Sequence, residues 1–331
     1  MNKKERVVLV CGASGFIGGH LVSRLKSDGH KVIAVDQRLP GSHRSEADEF
    51  YTGDLRDQSF ANSVIDRPFD EVYQMATDMG GAGYLFTGEH DADIMYNASM
   101  INLNVLAAVN KAGAHKVFYP SSACVYPNRS EQADFSEEDA YPAQPFSEYG
   151  WEKIFSERLY LSFMRNYKIQ TKIARFHTIF GERCHFDGGR EKVHAALARK
   201  VLMADDPGEI EIWGDGEQQR SFLYIDDCLD AVEMLMQSDS FHGPVNIGSD
   251  QMISINQLAH LMIGFSDKHI SIRHVDGPIG LKSRNSDNTL VVEKLGWKPT
   301  GSLEHQMLGM YRWIESQIEQ LVPDRLSGDF T

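Results

Sequence analysis

The chain has 331 residues, 42% of them apolar, and a formal net charge of −14 at pH 7. This length suggests about two domains with a full core, and the acidic balance argues against a nucleic-acid or anionic-membrane partner. No run of ~18 apolar residues predicts a membrane span, the charged start lacks the apolar stretch of a signal peptide, and Cys11, Cys124, Cys184 and Cys228 form no close pair, so a reduced cytoplasmic protein without a metal site is expected.

The first predicted element is the strand Val7–Val10, a β-branched run of the kind buried in parallel sheets. Gly12, Gly15 and Gly18 follow at once and lead into a helical stretch that ends near Lys26. Glycines directly between a strand and a helix allow a tight turn, close backbone approach to a pyrophosphate, and close helix–strand packing. The amides opening the helix, around Phe16 and Ile17, would then face the phosphates. A structural turn without a ligand is the alternative.

The second strand, Val32–Val35, ends in Asp36, near the offset at which a carboxylate holds the adenosine ribose. A 2′-phosphate would be repelled there, so NAD is expected rather than NADP, although Arg38 works against that preference. After a third strand, Asp54 and Leu55 can contact adenine, and Asp54 can equally cap the next helix. The fourth strand, Val72–Met75, runs into Ala76–Gly83, whose glycines, Gly80 among them, fit either backbone lying against a ligand or a mobile loop. The fifth, Val117–Tyr119, leads to Ser121-Ser122-Ala123-Cys124. With helical stretches such as Ile94–Lys111 between the strands, the pattern predicts a Rossmann-type, doubly wound parallel α/β sheet.

Tyr149 and Lys153 stand four residues apart in a predicted helix, so they share one face. A phenol with an ordinary pKa of ~10 is a poor base at neutral pH, and a neighbouring ammonium favours its ionised form. The pair can therefore shuttle a proton at a hydroxyl; alone, it also fits a solvated helix face. Ser122 and Cys124 are two residues apart and would share a face if the strand continued. Cys124 read alone is an inert buried thiol, and Lys192 read alone is surface charge.

Taken together, the glycine turn, Ser122 and Tyr149-x-x-x-Lys153 resemble the extended short-chain dehydrogenase/reductase superfamily. The chain is more closely similar to the GDP-mannose 3,5-epimerases, from the glycine turn nearly to the C-terminus. The pieces that carry the likeness are Ala76-x-Asp78-Met79-Gly80-Gly81, Ile94-Met95-Tyr96-Asn97, Ser121-Ser122-Ala123-Cys124, Gly188-Gly189-Arg190-Glu191-Lys192, Trp213-Gly214-Asp215-Gly216, Arg220-Ser221-Phe222 and Arg284-Asn285-Ser286-Asp287-Asn288. The resemblance implies transient oxidation at sugar carbon 4 with recycled NAD, proton exchange at carbons 3 and 5, and re-reduction. It implies that Tyr149 takes the proton of the 4-hydroxyl, Lys153 holds the nicotinamide ribose, Ser122 bonds the 4-oxygen, and Cys124 and Lys192 are the base–acid pair. It places Gly80, Ala123, Thr178, Glu191, Lys200, Gln218, Arg220 and Arg284 at the GDP-sugar, and it implies a homodimer built on the Ile94–Lys111 and Tyr149–Met164 stretches.

A cofactor domain over residues 1–177 is expected, with a segment near 218–245 returning to it, and a smaller mixed α/β nucleotide-sugar domain over 178–331. Arg220 and Arg284 suit bidentate phosphate contacts; each also fits a surface ion pair. Leu303, Met307, Tyr311, Ile314 and Ile318 mark an amphipathic C-terminal helix. His185 and His194 are read as structural. Thr178 stands where the resembled family usually has a substrate-contacting Asn, and Glu182–Asp187 departs from its usual loop, which opens the identity of the sugar. The competing readings are another nucleotide-sugar epimerase, an epimerase-reductase, a 4,6-dehydratase, or a non-catalytic cofactor-sensing protein.

Overall fold

The computed structural model describes residues 5–39, 45–128, 134–277 and 283–326. Its strands are β1 (Val7–Cys11), β2 (Lys31–Asp36), β3 (Glu49–Thr52), β4 (Glu71–Gln74), β5 (Lys116–Ser122), β6 (Asp134–Phe135), β7 (Gln170–Phe176), β8 (Thr178–Phe180), β9 (Gly208–Trp213), β10 (Gln219–Tyr224), β11 (Val245–Ile247), β12 (Met252–Ser254), β13 (Ile270–Val275) and β14 (Ser283–Ser286). The helices are α1 (Phe16–Ser27), α2 (Gln58–Val64), α3 (Ala82–Leu85), α4 (Asp91–Ala112), α5 (Glu148–Tyr167), α6 (Val193–Met203), α7 (Ile225–Gln237), α8 (Ile255–Gly264), α9 (Thr289–Leu295) and α10 (Leu303–Leu326).

Seven strands form one sheet in the order β11-β7-β5-β4-β1-β2-β3, with every neighbouring pair parallel. Period-two alternation explains the two covered faces. In β1, Val8 and Val10 point into a core shared with Leu21, Val22 and Leu25 of α1 and with Leu229 and Val232 of α7. Leu9 and Cys11 point the other way, among Ile101 and Val105 of α4 and Tyr160 of α5. This is the doubly wound Rossmann-like architecture expected from the alternating strands and helices.

The chain begins mid-sheet, winds out through β2 and β3, and then crosses to β4 on the other side of β1. The strand order therefore reverses between β1 and β4, and such a switch point opens a crevice at the strands' carboxyl ends. The loops Gly12–Gly15 and Ala76–Gly81 leave from there.

The remaining strands are shorter sheets, β12-β10-β14-β6 with β8 paired to β10, and the separate pair β13-β9. Their core joins α6, α8 and α10 through Leu197, Leu258, Met262, Met307, Tyr311 and Ile314, all buried. The apolar spacing read from the sequence thus lies on α10, with Met310 also buried on it. Leu223, Ile225 and Cys228 pack instead into the core beneath the large sheet, and β11 forms that sheet's edge. Phe16, at the start of α1, packs against the core of the shorter strands, which brings that core to the glycine loop.

Candidate active site

Two of the three glycines in the first loop are required by space. Gly12 adopts φ +76°, and a Cβ there would lie 2.7 Å from the backbone nitrogen of Ala76, across the switch point. A Cβ on Gly18 would lie 2.1 Å from the carbonyl oxygen of Gly12, so α1 packs directly on the turn. Gly15 is the N-cap of α1 and offers no side chain to the first amides. The helix geometry leaves the N–H groups of Phe16 and Ile17 without intrahelical acceptors.

Asp36 ends β2. One of its carboxylate oxygens accepts from the backbone N–H of Ser14 at 3.0 Å and the other from that of Arg38 at 3.1 Å. It braces the glycine loop. The Arg38 side chain is exposed. Asp54 is gripped by the Arg56 guanidinium, which holds its carboxyl below the usual range. The Leu55 side chain belongs to the core, at 3% exposure. A contact from Leu55 to adenine would therefore be made by its backbone.

Helix α5 starts at Ser147, whose hydroxyl accepts from the N–H of Gly150 at 3.3 Å. A Cβ on Gly150 would lie 2.2 Å from the carbonyl oxygen of Cys124. The first turn of α5 therefore presses on the segment after β5 and brings Tyr149 beside Cys124. Both side chains are buried in one small cluster with Tyr84, Leu85 and Ile94. Lys153 is 2% exposed. Its Nζ lies 5.3 Å from the centre of the Tyr149 ring, donates to Tyr119 Oη at 3.2 Å and Thr77 Oγ1 at 3.4 Å, and stands 3.3 Å from a Glu152 carboxylate oxygen. The other oxygen of Glu152 accepts from Ser156 at 2.6 Å and Asn102 at 3.2 Å, and Gln74 donates to Asn102 at 2.9 Å. This buried polar network fixes the ammonium beneath Tyr149.

The strand does not continue past Ser122. Ala123–Val125 forms a 3₁₀ turn, and the Ser122 hydroxyl accepts from the N–H of Cys124 at 3.1 Å. Ser122 and Cys124 therefore do not share a strand face, contrary to the sequence-based expectation. The serine's hydrogen-bonding capacity explains the turn, since Ser favours caps over strands. Cys124 nonetheless reaches the Tyr149 cluster, by way of the turn.

Lys192 occupies the N-cap of α6, a position that normally takes Ser, Thr, Asp or Asn. Burial pushes its ammonium below the ordinary lysine range, and the thiols of Cys124, Cys184 and Cys228 act in the opposite direction. The ammonium thus lies within electrostatic reach of Cys124. His194, 1% exposed between Phe180 and Phe222, is pushed down to about 3 by burial and by Lys192, so it stays neutral. Burial also lowers His185. Among the described residues no group of His, Cys, Asp and Glu is arranged to hold a metal.

The remaining candidates come from several elements. Gly80 is buried against Tyr84, and Ala123 opens the 3₁₀ turn. Glu191 binds Arg199 at 3.0 Å and has a second, buried oxygen without a hydrogen-bond partner among the described residues. Gln218 is 8% exposed, donates to the Trp213 carbonyl at 3.1 Å, and its buried oxygen likewise has no partner among the described residues. Lys200 donates to the Glu211 carbonyl at 2.7 Å. Thr178 is half-buried on β8, paired with Phe222. Arg220 and Arg284 are register partners on β10 and β14, so their backbones lie side by side; the Arg284 side chain lies outside the described residues. Sequence reasoning missed Glu152, Asn102, Tyr119 and Thr77, whose roles come from contacts between distant segments that no local motif marks.

The model of the NAD-dependent epimerase/dehydratase family matches residues 8–248. The chain belongs to the NAD-dependent epimerase/dehydratase family. GDP-mannose 3,5-epimerase 1 of Oryza sativa subsp. indica is 42% identical over 95% of this chain and 82% of its own. GDP-mannose 3,5-epimerase of Arabidopsis thaliana is 42% identical over 95% of this chain and 83% of its own. Among solved structures, UDP-glucose 4-epimerase from Thermotoga maritima, crystallised with UDP-glucose, superposes with a TM-score of 0.84 at 25% identity, covering 94% of this chain and 99% of its own.

As a member of the NAD-dependent epimerase/dehydratase family, the protein is a sugar-nucleotide epimerase with NAD as its cofactor. The crevice fits that group. Gly12 and Gly18 leave room for the backbone to approach a pyrophosphate at the start of α1, and Asp36 at the end of β2 would be the residue to hold a ribose. Among the described residues no helix is long and apolar enough to cross a membrane.

Proposed function

We propose that the protein converts GDP-mannose to GDP-L-galactose, with GDP-L-gulose as a second product, by 3,5-epimerisation. The observation that carries this reading is the burial of Cys124 and Tyr149 in one cluster, with the Lys192 ammonium in electrostatic reach of the thiol. The 42% identity to the plant enzymes supports the choice of sugar nucleotide.

A ring proton at an unactivated carbon is too weakly acidic to remove, and a ketone at carbon 4 acidifies carbons 3 and 5. Bound NAD supplies the reversible oxidation at carbon 4. Tyr149 takes the proton from the 4-hydroxyl and later returns it, the Lys153 ammonium stabilises the phenolate, and Ser122 orients the 4-oxygen. Inversion then requires a proton removed from one face of the ring and delivered to the other. In this reading Cys124 serves one face and Lys192 the other, at both carbons. Burial lowers the Lys192 pKa below the ordinary lysine range, which eases its release of a proton. Glu191, Lys200, Gln218 and the Arg220–Arg284 strand pair hold the nucleotide and diphosphate, Gly80 and Ala123 line the sugar, and Thr178 takes the place of the family's Asn. Residues 1–177 form the cofactor domain with a returning segment near 218–245, and 178–331 mainly hold the nucleotide-sugar.

Proton NMR with GDP-mannose in deuterated water, without added NAD, tests the reading. Loss of the carbon-3 and carbon-5 proton signals together with new L-sugar signals is expected. NAD-loaded protein that shows neither exchange nor product excludes GDP-mannose and directs the search for a different sugar to Thr178.

The protein acts as a cytoplasmic homodimer in this reading. Tyr96 and Leu103 on α4 and Trp151 and Phe155 on α5 are 40–63% exposed on two helices packed together. An exposed apolar face of this kind marks an association surface. Leu103→Asp with Phe155→Glu is expected to yield monomers in sedimentation analysis, and an unchanged mass would place the interface elsewhere.

A further inference from the structure

We propose that Arg190 is a positioning residue for Lys192, clasped onto Asp78 so that the lysine is held at the sugar face. This rests on the proposed role of Lys192 as proton donor and acceptor, and extends it to the device that places it.

The segment leading to Lys192 runs through two glycines and is also tied at Glu191 to Arg199. Gly188 and Gly189 adopt φ +89° and +82° with open space around them, and glycine gives the backbone there little restraint. Order returns at Arg190. Its carbonyl accepts from the N–H of Gly81 at 3.0 Å. A Cβ on Gly81 would lie 2.1 Å from the Glu191 carbonyl oxygen, so the two loops meet backbone to backbone. The Arg190 guanidinium donates to Asp78 at 2.9 Å and to Tyr84 Oη at 2.9 Å, and lies over the Tyr84 ring at 4.0 Å. Tyr84 in turn donates to Asp78 at 3.0 Å. Two residues later the chain becomes the N-cap of α6 at Lys192.

The other end of the clasp is anchored too. Asn97 of α4 donates to the second oxygen of Asp78 at 2.8 Å and accepts from Arg56 at 2.6 Å, and Arg56 grips Asp54. The Arg190 side chain is 49% exposed while that of Asp78 is 11% exposed. A half-exposed ion pair contributes little to global stability. Its consequence is local: it joins the strand-end loop beside Tyr84, a member of the Cys124–Tyr149 cluster, to the segment carrying Lys192.

The test uses NAD-loaded Arg190→Ala, Arg190→Lys, Asp78→Asn and, as a control, Lys192→Met, with NMR in deuterated water reading two quantities. One is deuterium entry at carbons 3 and 5, the other inversion at those carbons. Lys192→Met is expected to retain exchange driven by Cys124 while losing inversion, which raises the ratio of exchange to inversion. Arg190→Ala and Asp78→Asn are expected to shift that ratio in the same direction, with inversion falling about 10²-fold. Arg190→Lys keeps the charge without the planar fork and is expected to recover part of the inversion. A general loss of structure lowers both quantities together and leaves their ratio unchanged. An unshifted ratio in Arg190→Ala and Asp78→Asn, with a raised ratio in Lys192→Met, overturns the clasp alone. An unshifted ratio in Lys192→Met overturns the role of Lys192 and the clasp with it.

Discussion

Tyr149→Phe is expected to slow epimerisation about 10²- to 10⁴-fold, the span of a positioned general acid–base group, while bound NAD and GDP-mannose affinity stay near wild type. The substitution removes one hydroxyl and keeps the ring that packs against Leu85, Ile94 and Cys124, so the fold is not at issue. Lys153→Met is the less clean experiment. The ammonium is buried beside the carboxylate of Glu152, which is fully buried, and removing one partner of a buried pair leaves an uncompensated charge. That variant should lose stability as well as rate. Stopped or steady-state turnover of Tyr149→Phe, with NAD content measured on the same sample, checks the prediction. A loss below tenfold would assign the 4-hydroxyl proton to another group.

The sequence carried the crevice well because its signals are local. Gly12 and Gly18 sit between a strand and a helix, and their spacing is dictated by backbone contact within a few residues. Tyr149 and Lys153 share a helix face by periodicity, and the helix is there. An expectation failed where a side chain redirected the backbone. Ser122 hydrogen-bonds the chain two residues on and turns it into a 3₁₀ helix, so strand alternation ends two residues before Cys124 and does not place it. Least legible were the pairings across the chain. Asp78 and Arg190 are 112 residues apart, and Asn102 and Glu152 are 50 apart. Each reads as an ordinary surface or helix residue until the loops over β4 and before α6 are brought together.

Cys124→Ala and Lys192→Met are each expected to abolish inversion at both carbons, and the double variant is expected to be no slower than the worse single one. Inversion is a relay in which one group removes the proton and the other replaces it from the opposite face, so losing either member breaks the unit and the second loss costs nothing more. Independent contributions would multiply instead, and a double variant far slower than both singles would show that the two residues do not act on the same proton exchange. The singles should differ in what survives. A group left without its partner can still remove a proton and return a deuteron to the same face, so each single variant keeps exchange without inversion at the carbon where the remaining residue is the base. The carbon that exchanges in Cys124→Ala is then the one served by Lys192, and the reverse holds for Lys192→Met. The pH profile separates them further. As an acid, Lys192 must be protonated, and burial lowers its pKa. Wild-type turnover should therefore fall as pH rises through a value below the ordinary lysine pKa of ~10.4, and that alkaline limb should be absent from the residual exchange of Lys192→Met.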